Sequence, residues 1–106
     1  MGRAIDWMDV RTELEARIAA VDVRAPYASR GELASAVDAI RLIAHRAGMQ
    51  PAVTVAHFID SALARGERGA LVHGWLAMLR DAVGSEAQDL DTAHRFAAAC
   101  SIRLAG

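Results

Sequence analysis

Four histidines, one cysteine and thirteen Asp and Glu residues are the side chains of this chain with chemistry to offer. His57 and Asp60 stand about one helical turn apart, and His73 lies on the next helical segment, a mixed nitrogen and oxygen set of the kind that binds zinc. A zinc site needs three or four ligands that converge. Counted from the intervening turn, His57 lies about ten residues back and His73 about six forward, so at roughly 1.5 Å of rise per residue they sit at different heights. Each histidine falls in the narrow polar stripe of its helix, and no metal ligand is assigned. Cys100 lies on an apolar stripe with His94 six residues earlier, at the stripe's edge. A cysteine so placed behaves as a small hydrophobe, and nothing in the spacing builds a Cys–His dyad. No glycine-rich phosphate loop, nucleophile elbow or paired carboxylate in a predicted cleft is present. No catalytic or cofactor-binding residue is therefore assigned, and the chain is not read as an enzyme.

Two segments carry resemblances. Ile43 to Ile59, IAHRAGMQPAVTVAHFI, resembles a helix-turn-helix, with Ala44 as the small residue, Gly48 in the turn and Met49 as the buried aliphatic. That resemblance implies DNA binding through the second of the two helices. In the register set by Gly48, Thr54 and His57 take positions that the motif keeps apolar. The would-be recognition helix has no Arg before Arg65, which leaves guanine edges and phosphates without a partner. His45, on the solvent face of its helix and followed by the hairpin Val55 to Val83, resembles the centre of a histidine phosphotransfer domain. That family follows its histidine with Lys and then Gly three and four residues on; here those positions hold Gly48 and Met49. A surface histidine near a helix C-terminus, where positive charge is favoured, accounts for His45 as well.

The elements that would position these residues are all helical. The chain has 106 residues, 54% hydrophobic and 24% charged, which is one core's worth and excludes a disordered chain. Its twelve basic residues, all Arg, against thirteen acidic ones leave a net charge of −1, and no basic face of the kind nucleic-acid binders carry stands out. Arg without Lys or Asn, beside 24 Ala, has the pattern of a GC-rich bacterial genome. The most apolar run, Ala70 to Leu79, is broken by His73 and Gly74 and falls well short of the roughly 20 residues of a bilayer span. The opening MGRAIDWMDV has acids where a signal peptide is apolar, and the lone Cys100 suits a reducing compartment, so a cytoplasmic protein is expected.

Helix punctuation recurs five times. The first helix starts after Asp6 and runs to about Asp22 on a narrow stripe of Trp7, Val10, Leu14, Ile18 and Val21. A linker from Val23 to Arg30 contains Pro26, with Tyr27 expected to tack it down. Ser29 with Glu32 reads as a capping box for a second helix that ends at Gly48. Its core face is Leu33, Ala36, Val37, Ile40, Ile43, Ala44 and Ala47. Pro51 opens a third helix ending near Arg65, with Val55, Ile59, Ala62 and Leu63 facing inwards. After the short connection Gly66 to Gly69 a fourth helix, Ala70 to Val83, should return antiparallel. It is apolar around more than half its circumference, which predicts a central position, with Trp75 and Trp7 as core anchors. Ser85 with Gln88 reads as a second capping box, opening a fifth helix whose stripe is Leu90, Ala93, Ala97, Cys100 and Leu104.

The expectation is an all-α single-domain bundle of about five helices over residues 1–106, with an antiparallel hairpin of helices 3 and 4 at its centre. Leu42, Val53 and Phe58 fall on otherwise polar arcs of neighbouring helices and are the expected protein interface. The function this supports is protein–protein contact, as a homodimer or a regulatory or adaptor partner, with a helix-turn-helix DNA-binding regulator (residues 43–59) as the alternative and a phosphotransfer protein using His45 behind it. Neither nucleic acid nor membrane is an expected partner.

Overall fold

The structure, a computed structural model, describes residues 6–106. It contains five helices and no strand among those residues: α1 (Trp7–Arg24), α2 (Arg30–Arg46), α3 (Gln50–Ala64), α4 (Ala70–Gly84) and α5 (Leu90–Ala105). The stretch MGRAIDWMDV, on which the expectation of no export signal rests, lies partly, at residues 1–5, outside the described residues. No described helix is long and apolar enough to cross a membrane.

Local chemistry sets most boundaries. Asp6 caps α1, its carboxylate accepting from the Met8 and Asp9 amides. At α2 the capping box forms in both directions: Ser29 Oγ accepts from the Glu32 amide at 3.1 Å, and Glu32 Oε1 accepts from the Ser29 amide at 2.9 Å. The other end of α2 closes in a Schellman motif. Gly48 takes φ +73°, the Gly48 amide donates to the His45 carbonyl, and the Met49 amide donates back to the Ala44 carbonyl at 2.9 Å. Met49 is fully buried, so the residue after the turn glycine is also a core residue. The same pattern ends α3, with Gly66 at φ +89° and the Glu67 amide on the Ala62 carbonyl.

The start of α5 differs from the expected Ser85–Gln88 box. Asp89 is the cap, accepting from the Thr92 amide at 2.9 Å, and α5 begins at Leu90. Gln88 instead donates its side-chain amide to the carbonyls of Ser85, at 2.7 Å, and Ala82, at 3.1 Å. Carbonyls at the end of α4 lack the donors a further helical turn would bring, and the glutamine adds to what the Ser85 amide gives Ala82 and Arg11 gives Ser85. Leu90, expected on the core stripe, is the first residue of its helix and is 61% exposed.

The core draws its largest side chains from four helices: Leu14 and Ile18 of α1, Val37 and Ile40 of α2, Val55 and Ile59 of α3, and Trp75, Leu76, Leu79 and Val83 of α4. Each stabilises the fold by roughly 1.5–3 kcal/mol through burial. α3 is the hub of the bundle, packing against α2, α4 and α5, while α4 packs against α3 and α1. Ala52, Ala56 and Ala62 on α3 are essentially inaccessible. Such small side chains let several helices approach one axis, whereas the wide apolar surface of α4 fills the space between its two neighbours and leaves Leu71 half-exposed.

Two aromatic expectations fail. Trp7 is 42% exposed, because as the first residue of α1 it lies past the end of the packed stripe. Tyr27 is 89% exposed, and the turn is held inwards by the smaller Ala25 and Ala28.

Candidate interaction surface

α1 and α2 pack on each other at the edge of the bundle and leave a groove between them. Its floor is Ala20 and Val21 of α1, Ala28 of the turn, and Leu33 and Ala36 of α2; its rim is Arg17, Arg24 and Glu32. Arg24 Nη2 meets Glu32 Oε2 at 3.4 Å across one end. Both groups are open to water, so the pair orients the rim more than it stabilises the fold. Arg17 is similarly engaged with Glu13 along α1 at 3.0 Å. The Glu32 carboxyl is held below its ordinary value, chiefly by the Ser29 amide, so it stays an anion across the physiological range. Beyond the Arg24–Glu32 bridge a second recess continues over Ala28 to Tyr27 and Val23, the latter 74% exposed. An exposed tyrosine beside small apolar side chains offers a flat ring and a polar tip, the combination enriched at protein interfaces.

The expected interface residues separate. Leu42 is 46% exposed and continues the outer line Ser35–Ala39 of α2 at helical spacing, about half a turn round the helix from Leu33 on the groove floor. Val53 and Phe58 are half-buried against the core. Sequence periodicity placed both on polar arcs, but α3 has neighbours on three sides and those arcs are largely covered.

The histidines and Cys100 go to different places. His73 Nδ1 meets Asp22 Oδ1 of α1 at 2.7 Å, Asp60 faces Asp38 of α2, and His57 is exposed, so the three residues weighed as metal ligands are not brought together. Among the described residues no three His, Cys, Asp or Glu side chains converge. His45 is exposed in the last turn of α2, next to Arg46. His94 is exposed whereas Cys100 is fully buried, its Sγ 3.6 Å from Met78 Sδ. Burial pushes the Cys100 thiol up to about 11, against a small opposing pull from Arg103. At pH 8 that shift alone reduces the thiolate fraction about 100-fold. A disulfide-exchange reagent should therefore react with native Cys100 at least about 100-fold more slowly than with the unfolded chain, read by absorbance with and without guanidinium.

Several polar anchors were missed by sequence reasoning. Arg11 of α1 donates from Nε to the Val83 carbonyl and from Nη2 to the Ser85 carbonyl, both at 3.0 Å, and so caps the end of α4. Arg103 of α5 lies over the Trp75 ring, 5.2 Å from its centroid, and donates to the Leu71 carbonyl at 3.1 Å. Gly74 makes room for it: a Cβ there would stand 2.8 Å from the Arg103 guanidinium carbon.

The helix-turn-helix geometry can be judged directly. α2, the Gly48 turn and α3 follow one another as that motif requires, but only His57 and Ala64 of α3 are exposed. A recognition helix must enter a major groove about 12 Å wide, and the partly exposed line that α3 presents, Val53, Thr54, His57, Phe58, Ser61 and Ala64, carries no basic residue. Compared with protein-family models, curated proteins and solved structures, the chain matched none of them.

Proposed function

We propose that this chain acts through protein–protein contact, as a self-associating or adaptor-type regulatory module, using the α1–α2 face. The observation that carries the reading is the exposure of Tyr27 and Val23 beside an open groove floored by Ala, Val and Leu. Such side chains gain roughly 25 cal/mol for each Å² of apolar surface that a partner covers. The rim charges Arg17, Arg24 and Glu32 supply orientation. A bacterial cytoplasm, suggested by the Arg-only basic composition and the single thiol, is the setting that fits.

Size-exclusion chromatography with light scattering tests it across micromolar concentrations. The expected result is mass above the 11.3 kDa monomer, or retention of a protein partner in a pull-down, reduced by Val23→Asp with Tyr27→Asp. These positions are too exposed for the changes to unfold the bundle. A strict monomer with no partner, or assembly indifferent to both substitutions, overturns the reading. The DNA-binding alternative has the Gly48 turn in its favour and, against it, an α3 without a basic residue on its partly exposed line. It requires a mobility shift at ~50 mM salt that weakens steeply by ~200 mM, and no shift is expected.

A further inference from the structure

On the side of α2 away from the α1 groove, α2 and α3 enclose a recess containing two carboxylates and no full complement of partners. Asp60 of α3 and Asp38 of α2 line it together with Arg30, Ala34 and Leu63. Asp60 Oδ1 is buried and has no hydrogen-bond partner. Asp38 pairs with Arg41, whose Nε lies 3.6 Å from its Oδ1. Two facing carboxylates cannot both be charged without repulsion, and a buried carboxylate oxygen without a donor adds a desolvation cost. One proton relieves both.

We propose that Asp38 and Asp60 share a proton across the α2–α3 contact, making that contact a pH-sensitive clamp, closed in mildly acidic conditions and loosened towards neutrality. The proton comes from water, bonds to the Asp60 carboxyl and is donated to the Asp38 carboxylate; on release it returns to water, leaving two anions. The charged surroundings are Arg30 and Arg41 on α2, while α4 and α5 contribute no residue to the recess. On α3 itself, His57 points to solvent and Arg65 is engaged with the Leu104 carbonyl at 2.6 Å. Burial first, then Asp38, pushes the Asp60 carboxyl up from 3.8 to about 6, and Arg41 opposes this.

The sign follows from proton binding. The native state holds this proton more tightly than the unfolded chain does, so its stabilisation is complete below about 4 and is lost as pH rises through about 6. Moving the carboxyl from 3.8 to about 6 would in full change the folding constant about 100-fold; because the recess is open to water on one side, about tenfold is expected. The inference does not depend on the α1–α2 face being an interface.

Urea unfolding of the wild type, Asp60→Asn and Asp38→Asn from pH 4.5 to 7.5 tests it, with a carbon-13 titration of the Asp60 carboxyl in the wild-type protein. The expected results are a wild-type folding constant that falls about tenfold relative to Asp60→Asn over this range, and an Asp60 midpoint near 6 that drops in Asp38→Asn. Equal pH slopes in wild type and Asp60→Asn overturn the clamp. An Asp60 midpoint near 4 does so even if neither variant folds, and a midpoint unmoved by Asp38→Asn overturns the sharing.

Discussion

Trp75→Ala should cost about 3–5 kcal/mol of stability, the scale for a fully buried indole, seen as a melting midpoint lowered by at least about 12 °C at ~4–8 °C per kcal/mol. Trp75 is 1% exposed, lies within the surface that α4 presents to its neighbours, and is fixed at both ends of its ring. Its Nε1 donates to Glu67 Oε1 at 2.8 Å, across the connection between α3 and α4. Arg103 of α5 covers the ring face. The substitution removes the apolar burial, leaves a cavity that backbone shifts only partly close, and strips a half-buried carboxylate of its donor. It also frees Arg103, whose remaining bond to the Leu71 carbonyl is exposed. Trp75→Phe separates the terms: it keeps most of the ring and loses the N–H, so about 1–2 kcal/mol is expected. Trp7→Ala is the control, since a half-exposed residue at a helix start should cost well under the Trp75 value. Chemical denaturation followed by circular dichroism measures all three, and a Trp75→Ala cost below about 1 kcal/mol would contradict this packing.

The same pair of tryptophans shows where sequence reasoning reaches and where it stops. Both sit on apolar stripes at helical spacing, and the stripe is legible because it depends only on residues three and four apart. Whether a stripe's end is covered depends on where the next helix stops, and for Trp7 nothing covers it. Caps are legible for the same local reason: Asp6, the Ser29–Glu32 box and Gly48 act within a few residues of themselves. The second box failed because distant demand won. The end of α4 had unsatisfied carbonyls, and both Gln88 and Arg11, 72 residues from Val83, were drawn to them. The acid pair was illegible in a different way. Periodicity puts Asp38 and Asp60 on the wet edges of their helices, but only the crossing of α2 over α3 turns those edges towards each other. The exposure of Leu42 was legible from its odd position on α2, whereas that of Tyr27 and Val23 was hidden in what reads as a linker.

The relation between α3 and α4 carries a second large effect. Circumferential apolarity ranks α4 as the more central helix, yet a helix surrounded on several sides needs small side chains more than oily ones, because neighbours must reach its axis from different directions. α3 meets that need with Ala52, Ala56 and Ala62, all at most 1% exposed. Ala56→Leu adds three carbons at a point with no accessible surface. If space existed there, the added burial would stabilise the protein by up to ~2 kcal/mol. With α2, α4 and α5 all seated on α3, the leucine must instead push a neighbour off its contact, and a loss of about 2–3 kcal/mol is expected, with weakened near-ultraviolet circular dichroism from loosened aromatic packing. Ala64→Leu, on the same helix but exposed, has nearly the same propensity change and should stay within ~0.5 kcal/mol of the wild type. The difference between the two variants isolates crowding from helix propensity. A stabilising Ala56→Leu would reveal a void beside α3 and return the hub of the bundle to α4.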